Sequence, residues 1–254
     1  MILTIRPGDD AEQDALALRR RGVDAVAAPV LTITQLPITL PPASDFTGLI
    51  FTSRHAVDAF CAACQWRIGD TAWAAKPVFV VGHATAARAR LAGFATVITG
   101  SGGGAGLVPH IRQHQAAHDG ALFWPAAAQK SFDLVAALRP HGVAVTCETI
   151  YQTDPQSSLP PAIIAAISTN RISAVISMSA RTSHAFVELL QTHNLWHHRK
   201  EIMLIAGSEG IAAAAGDGWQ NIYVARRPKR TRMLAIAVLV DRQVSRDAVP
   251  MADR

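Results

Sequence analysis

The chain repeats itself. GLIFTSRHAVDAF (Gly48–Phe60) matches AVISMSARTSHAF (Ala174–Phe186), which sets Ser53 on Ser179. VFVVGHATAARARLAGF (Val78–Phe94) matches IMLIAGSEGIAAAAGDGW (Ile202–Trp219), which sets Gly82 on Gly207. The offset stays at about 126 residues, as a duplication requires. The two remaining pieces also match each other: ILTIRPGDDAEQDALALRRRGVDAVAAPVL at the start and ALFWPAAAQKSFDLVAALRPHGVAVTCETIY at Ala121–Tyr151. Each reads as a strand, a loop, an amphipathic helix, a glycine (Gly22 or Gly142) and a second strand, and each is followed by a connector ending in Pro-Pro (Pro41–Pro42, Pro160–Pro161). A duplicated chain of this kind folds into two similar halves.

The unit within each half is a short apolar strand, a small-residue loop and a helix. GLIF, VFVV, ALFW, AVISM and IMLIA are apolar runs without alternation, the pattern of central parallel strands covered on both faces. Ala-rich amphipathic segments such as HAVDAFCAAC and ATAARARLAG lie between them. Strand alternating with helix predicts an α/β class with doubly wound parallel sheets.

Composition narrows the class. With 254 residues, 50% hydrophobic and 17% charged, the chain can build a core and is not disordered in bulk. The longest apolar runs, such as Leu234–Val240, are far short of a membrane span, so no membrane partner is expected. The opening MILTIRPGDD does not read as a secretory signal. Three cysteines do not make a disulfide framework, and a cytoplasmic location is expected. The net charge of +5 is mild. The dense cluster ARRPKRTR (Ala225–Arg232) is read as a solvated loop before the last helix, because no aromatic residues interleave it as a nucleic-acid platform requires.

In open parallel sheets ligands sit at the carboxyl ends of the strands. The loops there are Arg6–Asp9, Thr52–His55, Gly82–Thr85, Gly100–Gly106, Pro125–Lys130, Ser179–Ser183 and Gly207–Gly210. Most are small and hydroxyl-bearing and open a helix, whose free N–H groups and positive dipole end favour anions. The same residues also serve as ordinary helix caps.

Familiar chemistries are missing. Gly100, Gly102 and Ala105 fit a loose dinucleotide loop, but no acidic residue ends a following strand, and no Walker lysine exists. Cys61 and Cys64 form a C-x-x-C inside a helix rather than at a redox turn. His110, His114 and His118 form one helical stripe, and His193, His197 and His198 cluster elsewhere, without a carboxylate or cysteine to complete a metal set. No metal or cofactor is expected.

Taken in order, RPGDD, LIFTSRHAVDAF, VVGHATAARARLAGF, LRPHGVAVTCETIYQT, VISMSARTSHAF and VARRPKRTRMLAIAV resemble the uroporphyrinogen-III synthase (HemD-like) family over residues 1–240. The resemblance implies two flavodoxin-like α/β domains that share the chain discontinuously: 1–34 with 155–241, and 37–152, with a disordered tail at 242–254. A two-stranded ladder of Pro29–Thr34 and Glu148–Thr153 would join them. Periodicity alone leaves two contiguous halves equally open.

The family is a lyase of heme biosynthesis. It takes the linear tetrapyrrole hydroxymethylbilane, inverts ring D and closes the macrocycle to uroporphyrinogen III with loss of water, using no cofactor. The substrate carries eight carboxylates, which suits a surface of helix N-termini, hydroxyls and arginines. Catalysis is then mainly positioning and charge support. By position the resemblance assigns Tyr151 to assisting hydroxyl loss. Ser53, Thr85 and Ser179 match family positions, and with Arg6, Arg54, His83, Ser101, Gly102, Lys130, Arg181 and Ser208 from the strand-end loops they are the candidates for substrate binding. The resemblance further implies a monomer that binds a small molecule, not nucleic acid, and makes transient contact with the preceding enzyme. Two positions depart from the pattern. Glu209 stands where a neutral hydroxyl is usual, and PAAAQKS leaves Lys130 as the nearby cation after the third strand. Glu209 favours the alternative of a catalytically silent, tetrapyrrole-binding or scaffolding relative.

Overall fold

The computed structural model describes residues 1–65, 72–115, 120–226 and 229–247. The chain runs β1 (Ile2–Thr4), α1 (Asp9–Arg19), β2 (Ala25–Ala27), β3 (Leu31–Gln35), β4 (Phe46–Phe51), α2 (Arg54–Ala63) and β5 (Val78–Val80). It continues through α3 (His83–Leu91), β6 (Val97–Thr99), α4 (Val108–Gln115), β7 (Ala121–Ala127), α5 (Leu134–Leu138), β8 (Val145–Pro155) and α6 (Pro161–Ser168). It ends with β9 (Ala174–Ser177), α7 (Ala180–Thr192), β10 (Met203–Ala206), α8 (Glu209–Ala215), β11 (Asn221–Val224) and α9 (Arg230–Asp247). Two compact units result, one from Met1–Ile33 with Asp154–Arg254, the other from Thr34–Thr153. The chain passes from one to the other inside β3 and again inside β8.

The first unit holds a five-stranded sheet in the order β11-β10-β9-β1-β2, with every pair parallel. Strands β9 and β10 are buried along their whole length, which is why their sequences are unbroken apolar runs. One sheet face packs Leu3, Val175 and Leu204 against Ile163, Phe186 and Leu190 of α6 and α7. The other packs Ile2, Ile176 and Ile205 against Leu18 of α1 and Met233, Leu234 and Ala237 of α9. At about 25 cal/mol per Å² of apolar surface, burial of such side chains is the main stabilising term.

The second unit holds a six-stranded sheet, β3-β8-β7-β4-β5-β6. Its β8-β7-β4-β5-β6 portion is parallel and has the same layout as the first sheet, with β4, β5 and β6 standing where β9, β10 and β11 stand. Edge strand β3 pairs with β8: Leu36 N–H donates to Ile150 O at 2.9 Å and Gln156 N–H to Val30 O at 2.9 Å, the crossed order of an antiparallel pair. Alternation along β7 splits its aromatics. Phe123 joins Phe46 and Trp73, whereas Trp124 joins Ile50, Phe79, Leu107 and Ile111 on the opposite face. The β7–β8 register slips between Ala126 and Ala127, beside Pro125, which has no N–H for the ladder. That irregularity sits where β7 hands over to the loop that lines the site described below.

The end of the chain corrects one expectation. Residues 242–247, assigned to a disordered tail, continue α9. The helix is held by a buried stripe of Met233, Leu234, Ala237 and Val240 that Val244 extends, and Tyr223 Oη donates to Gln243 Oε1 at 3.1 Å. Anchoring on one face outweighs the polar composition of the other. Residues 248–254 lie outside the described residues.

Candidate functional site

In a sheet whose strand order reverses, the crevice at the reversal is the natural ligand site. In the second unit that point lies between β4 and β7. After β4 the backbone turns at Ser53, whose Oγ accepts from Ala56 N–H at 3.0 Å and caps α2. Ser179 does the same for α7, accepting from Thr182 N–H at 3.1 Å. The duplicated serines then diverge. Ser179 Oγ lies 2.6 Å from Thr182 Oγ1 of its own helix. Ser53 Oγ lies 2.7 Å from the phenol of Tyr151, a residue of β8. Ala128 N–H donates to Tyr151 O at 2.9 Å, tying the loop after β7 to the same strand.

Around this pair is a cavity of about 230 Å³. Its polar lining is Thr52, Ser53, Gln129, Lys130, Ser131 and Tyr151; Val81, Gly103, Gly104, Trp124, Phe132 and Leu134 supply much of the rest. Lys130 is the cation of this wall, and neither Asp nor Glu is among the described residues that line it. Such a surface favours a carboxylate. Burial pushes the Tyr151 phenol above its ordinary pKa, and the hydrogen bond with Ser53 offsets part of that. Tyr151 therefore stays a protonated donor at neutral pH.

The other candidates occupy distinct places. Arg54 opens α2 next to Ser53, and His83 opens α3 on the surface after its Gly82 cap. Thr85 is buried in the first turn of α3. Ser101 and Gly102 are exposed in the glycine loop, of which Gly103 and Gly104 face the cavity. Arg6, Ser179, Arg181 and Ser208 belong to the first unit. The Arg6 guanidinium is engaged there by Asp10 at 2.7 Å and Asp14 at 3.2 Å, and Asp14 also binds Arg230. Ser208 caps α8 and Glu209 is that helix's first residue, exposed, where the dipole favours a negative charge. Glu209 lines a shallow cavity together with Asp217.

The remaining clusters are placed as follows. Burial pushes the Cys61 and Cys64 thiols up to about 11 and about 12, which disfavours the reactive thiolate. Of the histidine stripe, His110 and His114 lie on α4, and His118 falls outside the described residues. Among the described residues no three His, Cys, Asp or Glu side chains are grouped to hold a metal ion. No helix among them is long and apolar enough to cross a membrane. In the basic cluster, Arg226, Lys229 and Arg232 line an open groove, Arg230 turns to Asp14 and to Gln13 O, and Arg227 lies outside the described residues.

Sequence reasoning located the loop after β7 but took only Lys130 from it. It passed over Trp124, which ends the apolar run ALFW and reads as core. The available signal was a bulky, donor-bearing side chain near the carboxyl end of a strand at the reversal point.

The chain resembles solved structures of one kind. A uroporphyrinogen-III synthetase from Helicobacter pylori matches with a TM-score of 0.65 at 15% identity, over 94% of this chain and 98% of that one. A mutant uroporphyrinogen III synthase from Thermus thermophilus matches with a TM-score of 0.56 at 16% identity, over 96% and 99%. At such identities the likeness speaks for the α/β fold with parallel-dominated sheets. The sequence model of the uroporphyrinogen-III synthase HemD family matches residues 12–235, most of the chain, and with it this protein belongs to the uroporphyrinogen-III synthase family.

Proposed function

We propose that this chain closes hydroxymethylbilane to uroporphyrinogen III with inversion of ring D, and that the cavity around Ser53 and Tyr151 receives part of the substrate. The observation that carries the reading is the 2.7 Å hydrogen bond between these hydroxyls at the strand-order reversal, in a cavity with one lysine and no acid among its described lining residues. A volume of about 230 Å³ is below the ~300–1,000 Å³ of sites that enclose a whole drug-sized ligand. It suits one pyrrole ring with its acid arms.

In this reading the Tyr151 phenol donates to the departing hydroxyl. The C–O bond breaks, the pyrrole N–H proton is lost, and water leaves an azafulvene behind. The substituted carbon of ring D attacks the exocyclic methylene to give a spiro intermediate. Fragmentation and reclosure complete the inversion. In this step Ser53, fixed by its own cap bond, donates its O–H to the phenol oxygen and so leaves the single phenol O–H free for the departing hydroxyl. The protein otherwise holds the reacting carbons together, a contribution that reaches several kcal/mol in oriented reactions. Strands β3 and β8, in which the chain changes unit, serve as the ladder that links the two domains. Arg54, His83, Thr85, Ser101 and Gly102, which belong to the same unit as the cavity, remain proposed contacts for the other acid arms. The chain acts as a monomer without a cofactor and takes its substrate from the enzyme that makes it.

The test is product analysis. Hydroxymethylbilane generated in situ is offered to the protein, the products are oxidised and the porphyrin isomers separated. Dominant type III is expected. Type I alone from folded protein, the outcome of closure without inversion, overturns the proposal.

A further inference from the structure

We propose that Trp124 is a substrate-binding residue whose indole N–H donates to a carboxylate arm of the tetrapyrrole held in the Ser53–Tyr151 cavity. The proposal rests on the tetrapyrrole reading of that cavity. Trp124 is 2% exposed, lines the cavity, and its Nε1 has no hydrogen-bond partner among the described residues. An indole nitrogen is a donor only, so its need is for an acceptor. Buried donors are almost always matched, and one left unmatched beside a cavity calls for a ligand or ordered water.

A second buried indole is matched within the fold. Trp219, also buried, donates from Nε1 to Ala215 O at 3.2 Å. Packing alone does not explain the N–H of Trp124 either. Its neighbours Ile50, Phe79, Leu107, Ile111 and Leu134 are apolar, and a phenylalanine would satisfy them without an unmatched donor. The cavity supplies further partners for a carboxylate: the Lys130 ammonium and the hydroxyls of Thr52 and Ser131. Nε1 is sealed from solvent, so the lining of the cavity shifts as the arm enters.

The test uses the whole chain. The indole 1H–15N resonances are assigned, with Trp124→Phe identifying that of Trp124 or sequential assignment doing so if the variant does not fold, and uroporphyrinogen III is titrated in. The Trp124 indole proton is expected to move downfield while that of Trp219 stays in place. In turnover assays Trp124→Phe is expected to raise KM roughly ten- to hundredfold, the range for a hydrogen bond to a charged group, with a smaller change in kcat, beside the loss of Tm that the smaller ring brings in a packed core. A purely structural role would lower Tm and leave KM in place. A Trp124 resonance that does not move at saturating ligand, or a KM for the phenylalanine variant within twofold of wild type, overturns this inference while type III formation by the wild type leaves the wider reading standing. Absence of type III product from the wild type removes both.

Discussion

Ser53 and Tyr151, 98 residues apart in the chain, share a 2.7 Å hydrogen bond, and Ser53 at the same time caps α2 by accepting from Ala56 N–H. The serine is thus both a structural cap and the support of the phenol, and the two roles separate by mutation. Tyr151→Phe keeps the ring and its packing and is expected to lower type III turnover by roughly 10²-fold, the lower range for a positioned proton donor. Its effect on Tm should be small. Ser53→Ala removes the cap as well, a loss of about 1 kcal/mol or ~2–4 °C in a chain of this size. Its effect on turnover should be smaller than that of Tyr151→Phe, and the double variant should be no slower than Tyr151→Phe alone. Additive losses in turnover would show that the serine contacts substrate independently.

Parts of this site were readable in advance. Ser53 and Ser179 follow apolar strands and precede amphipathic helices, so their caps are local and legible. The pairing of Ser53 with Tyr151 rather than with its own helix is not, because it depends on how β8 lies in the sheet. Trp124 was hidden by the same limit: an apolar run without alternation shows that both faces are covered, not which face meets a cavity. Arg6 was read as an anion-binding loop residue, although Asp10 and Asp14 lie four and eight positions on, where a helix sets them on one side. In the tail, polar composition concealed the contacts of Gln243 and Val244.

The raised pKa of Tyr151 has a signed consequence for stability. The unfolded phenol ionises near its ordinary value of about 10, whereas the folded one holds its proton to higher pH. The unfolded state therefore loses its proton first. Stability from this group is fully present below about pH 10 and is lost as pH rises through the folded pKa. Urea midpoints measured from pH 8 to 11 are expected to fall more for the wild type than for Tyr151→Phe in the alkaline limb. The two should run parallel at pH 8.

Asp14 is 1% exposed and is shared by Arg6 of the loop after β1 and Arg230 at the start of α9. Asp14→Ala removes the carboxylate the two guanidinium groups share, leaving Arg6 with Asp10 and Arg230 with Gln13 O, and is expected to destabilise by about 2 kcal/mol, the range for hydrogen bonds to a charged group. Arg230→Ala should cost far less, since that side chain is 39% exposed. Arg6→Ala is expected to lower Tm, because its guanidinium serves the fold. Chemical denaturation of the three variants measures the order, and an Arg230→Ala loss equal to that of Asp14→Ala would show that α9 docking, not the buried carboxylate, dominates.

Gly103 and Gly104 are adjacent, yet they should fail in different ways. Gly103 has φ +66° with open space around it, so Gly103→Ala strains the backbone by about 1 kcal/mol without crowding anything. A lower Tm with an unchanged KM is expected. Gly104 has an ordinary helical conformation, φ −63° and ψ −41°, which alanine adopts readily. A Cβ there would lie 2.5 Å from Phe132 Cδ1, far inside contact distance, and the half-buried ring must turn away. Because Phe132 lines the cavity of Ser53 and Tyr151, Gly104→Ala reshapes the pocket rather than the backbone. It should raise KM several-fold with little change in Tm, and steady-state kinetics beside a thermal melt distinguishes the two glycines. The opposite pattern at Gly104, lower Tm with unchanged KM, would mean that the wall it shares with Phe132 does not touch substrate.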